Sequence, residues 1–427
     1  MRAEANGQPS GCPFALRARD FGGHSALAPG PRRRARERCA RRGLESAVGL
    51  ARHALAPARQ PVSEGGARPQ CRRGEALVAR STSPIFPSKI APVRPLPPTA
   101  LSVLLLASLA AAGARAERPG ISREPLPTAD GTRATLYHYV PEPGLGPRPA
   151  LLLLPEVGTT RRAYDFDRRG LARYLAWYGV EVFVLEYRGA GASDWPASFD
   201  FETLLENDCE AAFARALAGR ASIFVGGWGL GGTLAGLLAS RHSRQVAGFI
   251  GLQAAATLDL PNRPMAELVS RLERLPSMLD LRLASRRPLF EDRSWFEVMV
   301  ANDEGLAAAP LRAMRLSLLA PLPRALIEDL LRFAREKRIV VGGEDVRESI
   351  ARYRGRSLLV IAPRDNWIHP EFATPLVDSL GRERVEVLVL NPLEGARLEY
   401  GHLGMLLGSE APRDVWAPIL AFVKERR

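Results

Sequence analysis

Six residues, Gly227-Trp228-Gly229-Leu230-Gly231-Gly232, form the segment whose residue types and spacing point most directly to chemistry. They lie between two short apolar stretches, 222–225 and 233–239, and so predict a sharp turn from a strand into a helix. Such a turn, with glycines on both sides of a Ser, Cys or Asp, presents that residue as an attacking nucleophile. Here the central position is Gly229, so the glycines are present and the nucleophile is absent.

The net positive charge of the chain is confined to its first part. The formal net charge is +13, and residues 1–116 alone carry 19 basic and 6 acidic side chains. Residues 117–427 are therefore neutral overall, which argues against a nucleic-acid surface there. Residues 1–98 show no persistent apolar periodicity and are predicted to be a disordered basic segment. A basic arm that binds nucleic acid is the alternative for this segment.

A secretory signal peptide is predicted at residues 99–116. The apolar run 101–112 is shorter than the roughly 20 residues that span a bilayer. Basic residues precede it, and Ala114-Arg115-Ala116 has the small-x-small pattern of a cleavage site. We therefore expect an exported protein that is cleaved near Ala116, has no transmembrane span in its mature form and has its start codon assigned too far upstream. An internal anchor and a chance Ala/Leu run are the alternatives.

Residues 117–427 alternate between strand-like and helix-like segments, which predicts an α/β fold with a doubly wound, mostly parallel sheet. Strands are predicted at residues 134–140, 150–154, 180–185, 222–225, 246–252, 357–362 and 385–390. An insertion at about 254–353 is rich in Leu, Arg and Ala and is broken by prolines, which predicts short helices, among them 265–275, 306–319 and 323–337. Beyond the carboxyl edge of a parallel sheet, this insertion would form a helical cap over the ligand crevice.

Three landmarks make residues 130–427 resemble the α/β-hydrolase superfamily. The first is the turn 227–232. The second is Asp365 in Ala-Pro-Arg-Asp-Asn-Trp-Ile-His-Pro, after the predicted strand 357–362, and the third is His402 in Glu-Tyr-Gly-His-Leu-Gly, after the predicted strand 385–390. They follow the family's chain order of nucleophile, acid and histidine. The Tyr-Gly-His context and the Arg-Gly-x-Gly-x-Ser-Asp-Trp sequence at 188–195 are similar to the lipase-like and polyhydroxyalkanoate-synthase-like branches.

The resemblance implies a role for each landmark. A Ser or Cys at position 229 would attack a carbonyl carbon, His402 would take its proton, and Asp365 would orient the imidazole and stabilise its charged form. Backbone N–H groups would hold the resulting oxyanion. The resemblance assigns these N–H groups to Leu230 and to Glu156 or Val157.

The chain departs from the family pattern at two positions. Gly229 has no side chain with which to attack, and loss of the nucleophile lowers turnover on the order of 10⁶-fold in subtilisin. Glycine at this position also relieves the strain of the turn, where we expect a positive φ. The second departure is Pro155-Glu156, which stands where family members usually carry His-Gly. A carboxylate there would oppose the negative charge of an oxyanion.

Three functions remain open. The first is an exported pseudo-enzyme of esterase- or lipase-like descent, whose capped apolar pocket binds a small apolar or ester-like ligand without turning it over. The second is an active hydrolase or lyase in which His402 and Asp365 form a general base and no covalent intermediate is made. The third is a non-enzymatic partner-binding or structural protein. A sequence error would also explain Gly229, because Ser and Gly codons can differ by one base. No residue spacing predicts a metal site or a nucleotide cofactor.

Overall fold

The computed structural model of the protein describes residues 119–142, 148–259, 278–284, 303, 305–306, 313 and 315–425. The principal strands are β1 (Gly120–Pro127), β2 (Arg133–Val140), β3 (Ala150–Leu154), β4 (Glu181–Glu186), β5 (Ile223–Trp228), β6 (Val246–Leu252), β7 (Ser357–Ile361) and β8 (Val385–Val389). They form one eight-stranded sheet in the order β1-β2-β4-β3-β5-β6-β7-β8. β2 pairs antiparallel with both β1 and β4, and the other neighbours pair in parallel, so the predicted mostly parallel α/β sheet is confirmed.

The helices that accompany these strands have the following bounds: α1 (Leu171–Trp177), α2 (201–217), α3 (Leu230–Arg241), α4 (Leu281–Ala284), α5 (Arg324–Glu336), α6 (Val346–Ile350), α7 (Pro370–Leu380), α8 (Gly404–Leu407) and α9 (412–424). α2 and α9 each contain a π-helical segment, at Leu204–Cys209 and Pro412–Trp416. Two short 3₁₀ helices lie at Arg161–Ala163 and Pro392–Glu394.

The hydrophobic core lies on both faces of the sheet. Strand β3 shows why, because all five of its side chains are buried. Leu152 and Leu154 belong to one apolar cluster, whereas Leu151 and Leu153 belong to the other. A strand that is covered on both faces reads as a continuous apolar run rather than an alternating one, which is why the sequence identified β3 to the residue.

Strand β1 was not predicted from the sequence. Its sequence, Gly-Ile-Ser-Arg-Glu-Pro-Leu-Pro, is mostly exposed and pairs only with β2, at the edge of the sheet. An edge strand tolerates proline and has only one partner, so it needs neither a continuous apolar run nor strict alternation. The sequence pattern on which the other strands were recognised is therefore absent from β1.

The predicted signal peptide and the basic segment 1–98 lie outside the described residues, as does the predicted helix 265–275. Of the inserted segment, α5 occupies nearly the predicted range, and Met278–Leu279 pairs with Leu322–Pro323. α6 packs against α3, where Ser240 Oγ donates to the Ser349 carbonyl. A cap over the whole crevice remains a prediction. Within the described part of the chain, no helix combines the length and the hydrophobicity that a membrane crossing needs.

A buried ion pair joins the turn after β4 to helix α2. Arg188 Nε lies 2.8 Å from Asp208 Oδ1, and both side chains are almost wholly buried. Asp130 also pairs with this guanidinium, from a partly exposed position. We expect Asp208→Ala to lower the free energy of unfolding by about 1–3 kcal/mol, because it removes the buried acceptor of Arg188 Nε and leaves only Asp130 to face the charge. In the matched control, Asp194→Ala removes the exposed pair with Arg133 and should cost far less, because water screens that pair. Equal losses for the two variants in urea-induced unfolding would contradict this assignment.

Candidate functional site

Four loops meet at the carboxyl edge of the central parallel strands. Glu156 follows β3, Gly229 follows β5, Asp365 follows β7 and His402 follows β8. The loops that follow parallel strands lie at a single edge of the sheet, so residues far apart in the chain come together there. This edge is therefore the candidate functional site.

Gly229 forms the turn between β5 and α3. Its φ of 59° and ψ of −128° place it in a region that L side chains rarely adopt, so the expected positive φ is observed. Its N–H donates to the Leu252 carbonyl at 2.9 Å, and its carbonyl accepts the first bonds of α3. The turn thus keeps its strained geometry and its hydrogen bonds, although it carries no side chain.

Asp365 and His402 form a buried pair. His402 Nδ1 lies 2.6 Å from Asp365 Oδ2, and both side chains are fully buried. The other carboxylate oxygen, Oδ1, accepts the N–H groups of Trp367 and Ile368, each at 2.8 Å. These two bonds fix the carboxylate, and the carboxylate in turn fixes the imidazole with its Nε2 atom directed away from Asp365.

Two further contacts hold the backbone and ring of His402. The Trp228 ring lies 4.5 Å from the imidazole, measured between centroids, and its Nε1–H donates to the His402 carbonyl at 3.1 Å. The Asp303 carboxylate accepts the N–H of Gly401 at 2.5 Å and that of Leu403 at 3.2 Å. The histidine is therefore clamped from β5 on one side and from the inserted segment on the other.

The loop that carries His402 is shaped to admit Asp303. A Cβ at Gly401 would lie 2.7 Å from Asp303 Oδ1, and one at Gly404 would overlap the same atom, so neither position has room for a side chain. Burial raises the pKa of Asp303 to about 7, against the opposing effect of the Gly404 and Gly401 amides. Asp303 positions the histidine loop, and its identity could not have been chosen from the sequence, because it lies 98 residues from Gly401.

Glu156 occupies the place that a nucleophile would take. Its Oε2 accepts the Leu230 N–H at 3.1 Å, and its Oε1 accepts the Val157 N–H at 2.8 Å. An added Cβ at Gly229 would overlap Glu156 Oε2 and lie 2.6 Å from Glu156 Cδ. The carboxylate therefore fills the space above Gly229 and uses the two N–H groups that were assigned to an oxyanion.

The charges of the site form a chain of carboxylate, imidazolium and carboxylate. His402 Nε2 lies 3.7 Å from Glu156 Oε2, which is too far for a direct hydrogen bond but close for opposite charges in a buried site. Burial opposes the charged imidazole, but Asp365 and Glu156 outweigh it and raise the pKa of His402 to about 9. Burial also raises the pKa of Glu156, against the lowering by His402 and by the Leu230 and Val157 N–H groups. With both carboxyl groups ionised, the imidazole is protonated at neutral pH.

The inserted segment covers the loop that carries Glu156. The Thr160 N–H donates to the Leu318 carbonyl at 2.7 Å, and the Ala320 N–H donates to the Gly158 carbonyl at 2.8 Å. A hollow of about 220 Å³ lies beside this contact, with Val157, Tyr187 and Leu326 in its wall. Most of this space is open to solvent, and its enclosed part of about 10 Å³ has room for about one water molecule. Gly229 does not line it.

The structure thus brings together the site residues that the sequence singled out at the turn and in the three loops around it. Gly229, Asp365 and His402 converge, and the N–H groups of Leu230 and Val157 point at one carboxylate. For Glu156 the sequence suggested a backbone donor and a carboxylate that opposes an oxyanion, whereas the structure places that carboxylate above Gly229. The sequence did indicate a link between the two positions. Relative to the family pattern, residue 229 lacks the nucleophile's side chain, and residue 156 carries a carboxylate in place of the usual glycine.

Comparisons with known proteins agree with this architecture. A model of the alpha/beta hydrolase fold matches residues 154–389, more than half of the chain. A membrane phospholipase A, described as a bacterial virulence factor, is similar in structure with a TM-score of 0.50 and 20% identity, over 77% of this chain and 99% of its own. A hydrolase from Pseudomonas aeruginosa PA01 gives 0.50 and 18%, over 71% and 99%. DcsB in complex with a substrate analogue gives 0.52 and 15%, over 71% and 98%.

At these identities the similarity shows the fold alone. A search among curated proteins found no match to the chain.

We expect Glu156→Gln to lower the pKa of His402 from about 9 towards its usual value near 6.5, since it removes one of two facing carboxylates. The measurement is an NMR titration of the His402 ring. Because the folded-state pKa lies above the unfolded one, the imidazolium stabilises the fold fully below pH 6.5 and its contribution is lost as the pH rises through 9. The free energy of unfolding should fall by about 3 kcal/mol across that interval in the unaltered protein and by less in the variant. An unchanged His402 titration in Glu156→Gln would contradict the charge arrangement.

Proposed function

The chain belongs to the alpha/beta hydrolase fold family, and from that premise we propose that it is a catalytically impaired member of esterase- or lipase-like descent. The observation that carries the proposal is the Glu156 carboxylate in the space above Gly229. Acyl transfer in this fold needs an attacking side chain at the turn and free N–H groups for the oxyanion. Here the attacking side chain is absent, and the N–H groups of Leu230 and Val157 already donate to the Glu156 carboxylate.

The two departures from the family pattern support each other. A serine at 229 would place its Cβ on the Glu156 carboxylate, and a glycine at 229 makes room for it. A sequence error at one codon would account for Gly229 but not for the carboxylate that fits against it. The fit between Gly229 and Glu156 therefore supports the proposal that both changes belong to one loss of acyl transfer.

The general-base alternative requires a neutral imidazole. A base takes up a proton, and the raised pKa of His402, about 9, leaves Nε2 already protonated at neutral pH. Glu156 also fills the space in which a substrate or water would have to lie next to Nε2. The charges and the packing of the site therefore favour the impaired form over an active hydrolase or lyase.

The proposal includes export and a small ligand. Export rests on the predicted signal peptide at residues 99–116 and on cleavage near Ala116. For the ligand, the space above Gly229 is filled, so a small apolar or ester-like molecule would have to bind beside the site, and the hollow near Val157 and Leu326 would have to widen to admit it. If no small molecule binds, partner binding is the function that remains.

We expect the unaltered protein to hydrolyse p-nitrophenyl esters no faster than His402→Ala, because no atom at 229 can attack. Gly229→Ser alone should also stay inactive, since its side chain overlaps the Glu156 carboxylate. The double variant Gly229→Ser/Glu156→Gly should gain hydrolysis on the order of 10³-fold, together with labelling by a fluorophosphonate probe. Initial rates on short and long acyl chains measure the gain.

The matched control adds His402→Ala to the double variant and should abolish both the hydrolysis and the labelling. Turnover by the unaltered protein that disappears in His402→Ala would overturn the proposal. Activity in Gly229→Ser alone, as high as in the double variant, would show that Glu156 does not block the site.

The predicted cleavage near Ala116 has its own test. Expressed with its full leader in a Gram-negative host, the protein should be recovered from the periplasm or medium with its N-terminus at residue 117. N-terminal sequencing and intact mass identify the cleavage site. Replacing both Ala114 and Ala116 by Asp provides the control and should leave the leader attached. Recovery of residues 1–98 in the exported protein would contradict the assignment.

A further inference from the structure

The donors around Glu156 converge as they would around a bound anion. The Val157 N–H and the Leu230 N–H each hold one oxygen of the carboxylate, at 2.8 and 3.1 Å. Glu156 is buried, so these bonds lie away from water and the carboxylate has exchanged its hydration for them. The Val157 N–H lies in the loop after β3 and the Leu230 N–H at the start of α3, and both donate to the same carboxylate. This is the geometry of a receptor for a planar, two-oxygen anion.

Two independent features add positive charge to the same spot. Leu230 is the first residue of the 12-residue helix α3, whose N-terminus favours an anion. The second feature is His402, which is wholly buried and whose Nε2 takes part in no hydrogen bond within the described residues. That atom faces Glu156 Oε2 from 3.7 Å. A ligand that came slightly closer than the tethered carboxylate would complete the bond that Nε2 lacks.

We infer that the N–H groups of Val157 and Leu230 and the imidazolium of His402 form a carboxylate-binding site, which Glu156 fills from within the chain. The inference rests on the proposal that this site no longer transfers acyl groups. The ligand class is a small, unbranched monocarboxylate. The apolar Ile368 side chain lies 3.3 Å from where a Cβ at Gly229 would stand, and it restricts the width of the molecule.

A free carboxylate can replace the atoms that a substitution of Glu156 removes. Glu156→Gly removes a group equivalent to propionate, and Glu156→Ala removes one equivalent to acetate. Each variant leaves the Val157 and Leu230 donors in place. In the unaltered protein, the tether holds the carboxylate at a high effective concentration, so a free carboxylate cannot compete with it.

The experiment titrates propionate into Glu156→Gly and follows the thermal midpoint and the NMR signals of His402, Val157 and Leu230. We expect saturable binding, at least tenfold tighter than in the unaltered protein or in Glu156→Gln, whose sites are filled. Propionamide, which has the same shape without the charge, should bind at least tenfold more weakly than propionate. Inorganic phosphate, whose extra oxygens find no donors among these groups, should also bind more weakly. Glu156→Ala should show the same preference for acetate over acetamide.

Equal responses to propionate and propionamide, or equal binding by Glu156→Gly and the unaltered protein, would overturn the inference. If Glu156→Gly and Glu156→Ala fail to fold alone, the refolding yield in propionate against propionamide gives the same comparison. Equal yields would also overturn the inference. These readouts do not depend on ester hydrolysis. Failure to bind would therefore leave the proposed loss of activity intact, and activity of the unaltered protein would not alter the binding result.

Discussion

The Glu156 carboxylate occupies the space that a side chain at position 229 would fill, and the rest of the site depends on this fit. Glu156 can lie above the turn only because Gly229 has no Cβ, and it is held there by the Leu230 and Val157 N–H groups. Burying an ion without partners would be prohibitive, so the carboxylate needs these donors and the facing imidazolium. In the proposed impaired form, the dyad of Asp365 and His402 balances the charge of Glu156 rather than moving protons.

The fold supplies these parts because a parallel sheet ends all its central strands at one edge. The loops after β3, β5, β7 and β8 each contribute one component, and the inserted segment closes over two of them. It pairs with the loop after β3 through Thr160 and Ala320, and its Asp303 holds the amides beside His402. The same scaffold that would position an acyl-transfer centre therefore holds Glu156, Asp365 and His402 against one another.

The sequence predicted the sheet well wherever burial sets the pattern. Strand β3 and strand β6 were predicted to the residue, because strands covered on both faces are continuous apolar runs. The positions of Gly229, Asp365 and His402 also came from the sequence. The direction of the Glu156 side chain and the contact of Asp303 with Gly401 did not, because both depend on packing between residues far apart in the chain. Local patterns carry no information about such contacts.

The central claim is that Gly229 and Glu156 are matched in volume, and a double-mutant cycle on the free energy of unfolding tests it most directly. Gly229→Ala adds one methyl group at a positive φ, whose strain is the same with or without Glu156 and so cancels in the cycle. The steric overlap with the carboxylate does not cancel. We predict that Gly229→Ala is less destabilising in the Glu156→Gly background by at least about 2 kcal/mol. Additivity within about 0.5 kcal/mol would contradict the claim that the carboxylate fills the space of the missing side chain.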